Sequence, residues 1–427
     1  MSNRKQKPEQ KDLDPVVRAI GLDIEQTQVR LITSANADML FHYWKIGHFI
    51  LYHQKKEGWG SKVIDNLSKT IRLHYPDKKG YSRRNIFYMC QFAKAYPLAV
   101  LRKLVAVEHA LETPSVEKVL ILTNELNQFV QEPLALIEHV ESPLSVIVQE
   151  PVAQFGAVAC TLSNLFQLDI NEIEAIFKRS AVSRTNWASH VILLNRNLPL
   201  GERYWYISQS VELGWSSNVL QTQLDTKLFE RQITEKKVSN FTTRLPAPQS
   251  DLANYLLKDP YIFDLMGQTE RIAERDIERQ LVSHITKYLL EMGAGFAFVA
   301  QQKHFQVGDS DFYVDLILYN IKLRAYVVIE LKATPFKPEY AGQLNFYINV
   351  VDDVLCGEHD NKTIGLLLCN GGDKVVAQYA LSGYDQPIGV SDYQLSKAIP
   401  DNLKSSLPTV EEVEKELTKI VEQNEKK

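Results

Sequence analysis

Three charged residues interrupt the two most strand-like runs of the chain: Asp315 within FYVDLILYN, and Glu330 and Lys332 within AYVVIELKA. Both runs are rich in β-branched and aromatic residues and too short for an ordinary helix, so they read as strands. They are expected to form an antiparallel hairpin with its turn near Asn320 to Arg324. Burying an unpaired carboxylate or ammonium is costly, so these three groups must be paired, bound to a metal or placed at a solvent-open rim. Glu330 and Lys332, two residues apart, share one face of their strand, and the hairpin brings Asp315 opposite them. The chemistry that uses this set is metal-assisted phosphodiester hydrolysis. Mg²⁺, or Mn²⁺ in its place, takes hard oxygen ligands: here Asp315, Glu330 and the carbonyl of Leu331, with positions left for phosphate and water. Lys332 would then activate that water or stabilise charge on the phosphate. An ion trio with a purely structural role would satisfy the same strand charges.

The flanking segments are those needed to hold such a site. Upstream, ERDIERQLVSHITKYLLEM reads as a helix from Glu274 to Met292, apolar at Ile277, Leu281, Ile285, Tyr288 and Leu289 and ended by Gly293 and Gly295. Glu278 lies beside that stripe and is a candidate metal ligand. GFAFVAQQKHFQV supplies a third strand, a helix starts after Pro338 with Gln343 one turn in, and TIGLLLCN, residues 363–370, is a further strand. The order is αβββαβ.

Asp315 and Glu330-x-Lys332 resemble the PD-(D/E)XK nuclease motif, with Val314 where that motif is named for proline. The segments RDIERQLVSHITKYLLEMGAGFAFVAQQ, DFYVDLILYN, LRAYVVIELKATPFKPEYAGQLNFYIN, TIGLLLCN and QPIGV resemble the YhcG-type (DUF1016) family of predicted PD-(D/E)XK nucleases. This resemblance implies a restriction-endonuclease-like core and a catalytic set of Asp315, Glu330 and Lys332, with Gln343 and Glu278 accessory.

Net charge is −4 and apolar content 45%, enough for two or three domains and no announcement of nucleic acid overall. Local charge differs sharply. Between Lys55 and Lys103 twelve bases face three acids, a net of +9. The segment GWGSKVIDNLSKTIRLHYPDKKGYSRRNIFYMCQFAKAYP reads as two short helices, the first capped by Ser61 and the second by Ser82, joined by a turn at Pro76 to Gly80. This is a helix-turn-helix pattern, with Lys78, Lys79, Arg83, Arg84 and Lys94 as candidate phosphate contacts. The same block resembles the N-terminal domain of the YhcG-type family, which implies a winged-helix-like role on double-stranded DNA.

The expected organisation is α/β. A polar N-terminus, 1–15, is expected to be disordered. It is followed by a mainly helical DNA-binding domain over 16–231, a linker over 232–250, the nuclease core over 251–400 and a charged helix over 401–427. Within the helical domain, residues 108–183 carry eleven acids against three bases, a net of −8, and read as an acidic insertion, a structural ornament or a partner-binding element. His42, His48 and His53 lack acidic or Cys partners at ligand spacing and read as packing on a helix. Cys90, Cys160, Cys356 and Cys369 form no zinc spacing. The absence of an 18-residue apolar span or a leader-like start points to the cytoplasm and to no membrane. The expected partners are duplex DNA, a second copy, or restriction-modification or defence proteins. The rival to a nuclease is a catalytically inactive DNA-binding protein that uses the same fold as a scaffold in a restriction-modification, mobile-element or defence complex. RNA is the other candidate substrate.

Overall fold

The computed structural model describes residues 14–57, 63–108, 114–131, 162–264 and 289–396, with 290 and 294 excepted. The expectations for the N-terminal 1–13, Ser61, Cys160, Glu278, most of the 274–292 helix and the 401–427 helix lie outside these residues. The chain divides into two compact units, one drawn from Met1–Ala106 and Glu141–Asn197, the other from Val107–Val140 and Leu198–Lys427. None of the described helices is long and apolar enough to cross a membrane.

The first unit is helical. Its elements are α1 (Asp14–Glu57), α2 (Val63–His74), α3 (Arg83–Ala95) and α4 (Leu98–Val107). After the 107–140 stretch, which carries α5 (Val116–Gln131), come α6 (Ile170–Arg179), α7 (Ala181–Arg184) and α8 (Trp187–Leu194). Residues 16–54 thus form a single helix. Its buried positions Ala37, Leu40, Phe41, Trp44 and His48 recur at helical spacing, so one stripe carries the packing. At Gly47 an added Cβ would lie 2.1 Å from the Met89 carbonyl oxygen, which lets α1 and α3 approach backbone to backbone. The histidines pack as expected. The His48 ring lies 4.2 Å from that of Trp44, and burial pushes its pKa down to about 3; His42 Nε2 lies 2.9 Å from the Tyr81 hydroxyl. Ser82 caps α3, its Oγ accepting from the Asn85 N–H at 3.2 Å. Among the described residues this unit contains no strand, so the wing of the winged-helix expectation is not among them.

The described parts of the acidic segment 108–183 contribute buried side chains. Val119, Leu122 and Leu126 of α5 are buried in the second unit, while Ile173 and Phe177 of α6 are buried in the first, Phe177 ringed by Phe41, Trp44 and Phe92. Among the described residues, Glu117, Glu125 and Glu172 are exposed on helices whose opposite faces are core.

The second unit continues with α9 (Leu200–Glu212), α10 (Ser217–Asp225), a π-helical turn (Glu230–Thr234), β1 (Val238–Ser239), α11 (Phe241–Arg244), α12 (Gln249–Leu256) and β2 (Tyr261–Asp264). Next come β3 (Phe296–Val307), β4 (Ser310–Asn320), β5 (Ala325–Lys332), α13 (Pro338–Val354), β6 (Asn361–Cys369), α14 (Lys374–Ser382) and β7 (Ile388–Ser396). The stretch expected as a linker is therefore structured. β1 joins the sheet at Val238–Val390, Asn240 accepts from the Ile388 N–H at 2.7 Å, and Phe241 is buried. Part of its polar composition reflects side chains such as Ser239 and Asn240 that bridge to neighbouring segments.

The sheet runs β1-β7-β6-β5-β4-β3, with β2 pairing parallel to β7. β3, β4 and β5 are antiparallel, and β5, β6 and β7 are parallel. The expected hairpin is β4–β5, its turn at residues 321–324, where Asn320 Oδ1 accepts from the Leu323 N–H at 2.9 Å. β5 and β6 are buried along most of their length, which explains the apolar runs AYVVI and IGLLLC. α13 packs over Ile317, Val328 and Leu367 through Leu344, Tyr347 and Ile348. It approaches β6 where Gly365 leaves room: a Cβ there would lie 2.6 Å from Ile348 Cδ1.

Two neighbouring lysines, the half-buried Lys237 and the buried Lys258, lie near β1. Burial, reinforced by neighbouring Lys258 and opposed by Asp259, pushes Lys237 down to about 7, and its Nζ donates to the Asn254 carbonyl at 2.6 Å. Between about 7 and the ordinary lysine value of 10.5 the unfolded chain holds the proton that the folded chain gives up. Stability is therefore expected to rise with pH across that window and to be lowest below it. Lys237→Met should flatten the rise, as read by denaturant unfolding at a series of pH values from neutral to alkaline.

Candidate active site

The three charges converge. The last β4–β5 pair is Leu316–Ile329, and one step further the register sets Asp315 opposite Glu330. Asp315 is 7% exposed, Glu330 2% and Lys332 9%. Lys332 Nζ donates to Glu330 Oε1 at 2.8 Å. Asp315 Oδ2 accepts from the Leu331 N–H at 3.0 Å, and its Oδ1 accepts from Gln302 Nε2 at 3.0 Å. An N–H and C=O of one strand residue share an edge, so the Leu331 carbonyl faces the side on which Asp315 lies. β4 turns away here to continue with β3, which is why the backbone of Leu331 meets a side chain in place of a strand partner.

Gln302 was not among the residues singled out by sequence. It stands in β3 with φ 45°, a left-handed conformation inside a strand, between the paired residues Gln301 and Lys303. Such a backbone is strained, and here it accompanies a side chain aimed at a buried carboxylate. Counting the β3–β4 register from the hairpin sequence would have placed Gln302 across from Asp315.

From α13, Gln343 Nε2 donates to the Tyr347 hydroxyl at 3.0 Å. Burial pushes the Tyr347 hydroxyl above its ordinary pKa; Glu330 and Asp315 push in the same direction, while the Gln343 hydrogen bond and Lys332 oppose them. Gln343 is thus tied to Tyr347, four residues on and one helical turn away, and it is the Tyr347 hydroxyl that feels the three site charges; the spacing is legible in QLNFY. Lys332 Nζ also lies 5.5 Å from the centre of the Tyr340 ring.

The donor set fits a hard divalent cation. Two carboxylates on adjacent strands, with a backbone carbonyl beside them, are the oxygen ligands that Mg²⁺ accepts while keeping several waters. Among the described residues no three His, Cys, Asp or Glu side chains gather into a metal-binding group. The remaining ligands would come from water and phosphate, with Glu278 outside the described residues.

The five candidate phosphate contacts of the first unit are all exposed. Lys78 and Lys79 lie in the turn between α2 and α3, and Arg83 and Arg84 in the first turn of α3. Arg83 Nε pairs with Asp65 at 2.6 Å, and Arg84 lies over the Tyr88 ring at 5.8 Å. Lys94 stands about 15 Å further along the helix axis. Arg84, Phe87, Gln91 and Lys94 nevertheless follow one helical stripe, and Phe87 is 46% exposed on it.

Known proteins match at both ends of the chain. Residues 254–408 match the YhcG PDDEXK nuclease domain, and residues 19–118 match the DUF1016 N-terminal domain. A curated Escherichia coli (strain K12) protein named "Putative nuclease YhcG" is 25% identical over 400 residues, covering 91% of this chain and 93% of that protein. Two solved structures share part of the chain: a repair endonuclease from Pyrococcus abyssi (15% identity, TM-score 0.22) and EndoMS in apo form (13%, TM-score 0.21). Each alignment covers 31% of this chain, and 50% and 49% of the respective solved chains. With a nuclease-domain match spanning the Asp315–Glu330–Lys332 hairpin and an N-terminal match spanning α2 and α3, the chain is similar in both parts to the YhcG-type (DUF1016) family of PD-(D/E)XK nucleases.

Proposed function

We infer that this chain is a Mg²⁺- or Mn²⁺-dependent deoxyribonuclease whose helical N-terminal part holds duplex DNA and whose sheet, over about residues 251–400, cuts it. The observation that carries the reading is the convergence of Asp315, Glu330 and Lys332 at the point where β4 leaves β5. When bound by Asp315, Glu330 and the Leu331 carbonyl, a divalent cation supplies Lewis acidity and a water of lowered pKa. The chain's own groups do the rest. The Leu331 N–H and Gln302 fix Asp315, so its carboxylate needs no reorganisation. Lys332, held 2.8 Å from Glu330, presents a positive charge where negative charge builds on the phosphate. Gln343 and Tyr347 wall the site from the α13 side. Cleavage of plasmid and linear DNA with Mg²⁺ or Mn²⁺, against an EDTA control, tests the reading. Absence of cutting on every DNA and RNA form, with DNA retention intact, would leave the scaffold alternative.

The exposed stripe on α3 and the lysine turn before it are proposed as the duplex contact, read as a helix-turn-helix. Lys78→Ala and Lys79→Ala should each lower the slope of log binding constant against log salt by about 0.9, uniformly across DNA sequences. A fluorescence-anisotropy salt titration checks this, and an unchanged slope in both variants removes the turn from the interface.

A further inference from the structure

β5 ends at Lys332, and residues 333–337 lead directly into α13; that short connection carries a second lysine, Lys337, toward the same end of the strand. Asn370 donates its N–H to the carbonyls of Lys332 and Thr334, each at 3.2 Å, and the Phe336 N–H donates to the Gly371 carbonyl at 2.9 Å. Gly372, at φ 149°, lies against Phe336 so closely that a Cβ would fall 2.7 Å from the Phe336 Cβ. The connection is thus held in one shape from both sides. Within it the Tyr340 hydroxyl is bonded to Thr334 Oγ1 at 2.8 Å. The Tyr340 ring has one ammonium on it from Lys332, 5.5 Å from its centre, and another from Lys337, at 5.8 Å.

Two cations share one aromatic ring, and they differ in what else they touch. Lys332 is buried against Glu330, whereas the Lys337 side chain is 54% exposed and pairs with the exposed Glu339 carboxylate, at 3.8 Å. A surface pair at that distance is worth little. Like charges brought near one ring repel, and an anion delivered between them relieves the repulsion. A polynucleotide strand brings a row of such anions, one per nucleotide, and Lys332 can serve only one of them.

We propose that Lys337 and Tyr340 form a second phosphate position beside Lys332, which holds the phosphate next to the scissile one and sets the register of the substrate strand. The proposal rests on the nuclease reading and extends it. Tyr340 is a positioning residue: its ring carries both ammoniums, and its bond to Thr334 fixes the ring. Lys337 is the group that meets the neighbouring phosphate.

The test uses the full chain and short duplexes carrying a neutral methylphosphonate at the phosphate next to the cleaved bond. In native protein the methylphosphonate should raise KM several-fold with kcat little changed. Lys337→Gln should raise KM similarly, lower the salt slope of DNA binding by about 0.9, and be insensitive to the methylphosphonate. Lys337→Arg should restore the slope. Tyr340→Phe, which keeps the ring, should disturb KM less than Tyr340→Leu. A native KM and native salt slope in Lys337→Gln overturn the proposal, as do methylphosphonate and Lys337→Gln effects that simply add. If the native protein cuts nothing, the nuclease reading fails by that result alone. The salt slope, measured without cleavage, still decides whether Lys337 meets phosphate.

Discussion

Lys332→Ala should lower metal-dependent DNA cleavage by about 10²–10³-fold or more in kcat while DNA retention persists. The expectation follows from where the ammonium sits. It is fixed at 2.8 Å from Glu330 Oε1, with the side chain 11% exposed, beside the carboxylates expected to carry the metal. A preorganised charge in a partly dehydrated site costs nothing to reorganise when the phosphate gains charge, and no water replaces it equally well once it is removed. The variant also leaves the Glu330 carboxylate, 2% exposed, with its neighbouring positive charge gone. Breaking a buried pair in this way costs about 3–5 kcal/mol, so the metal-free variant should melt earlier than the native protein. Added Mg²⁺ or Mn²⁺ should recover part of that loss, because a cation on Asp315 and Glu330 takes over the charge. Thermal melts with and without metal therefore accompany the cleavage assay. Native-rate cutting by a folded Lys332→Ala protein would remove Lys332 from the chemistry.

Much of this site was legible in the chain because local patterns carried it. The charges interrupting FYVDLILYN and AYVVIELKA located the hairpin edge, and period-2 alternation set Glu330 and Lys332 on one face. The helix after Pro338 followed from its start signal. What escaped was whatever depended on register or on long-range burial. Gln302 lies in an exposed strand with no compositional mark, and only the β3–β4 pairing brings it to Asp315. Tyr347 and Tyr340 look like ordinary aromatic core until α13 is laid against β5. The stretch 232–250 misled because Asn240 and Ser239 are polar for the sake of hydrogen bonds to neighbouring segments, a role that composition does not separate from solvation. The acidic excess of 108–183 likewise hid what packs: charge on the exposed face of a helix says nothing about the Phe177 or Leu126 on its buried one.

Glu291→Ala should destabilise the second unit by about 3–5 kcal/mol, lowering its melting temperature by on the order of 10 °C. Glu291 is 7% exposed and accepts from three directions. Arg231 Nη1 lies at 2.5 Å from its Oε1, the Ile262 N–H at 2.9 Å from the same oxygen, and Lys258 Nζ bonds its backbone carbonyl with Oε2 at 3.9 Å. It ties the π-helical turn, β2 and the lead into β3 together. Removing it leaves two buried cations facing each other, and neither can reach water. Burial already pushes Lys258 down to about 8 even with Glu291 beside it. Replacing all three residues with methionine should recover most of the loss, because an apolar trio of similar volume avoids the desolvation that the ions suffer. Apolar replacement of both Glu330 and Lys332 should likewise spare the fold, yet it should end cleavage. The two ion clusters, alike in burial and in charge, are then separated by experiment: one holds segments that packing could also hold, and the other keeps charges that only the reaction requires. A Glu291→Ala protein that melts like the native one would show that water reaches Arg231 and Lys258, and the buried-network account would fall.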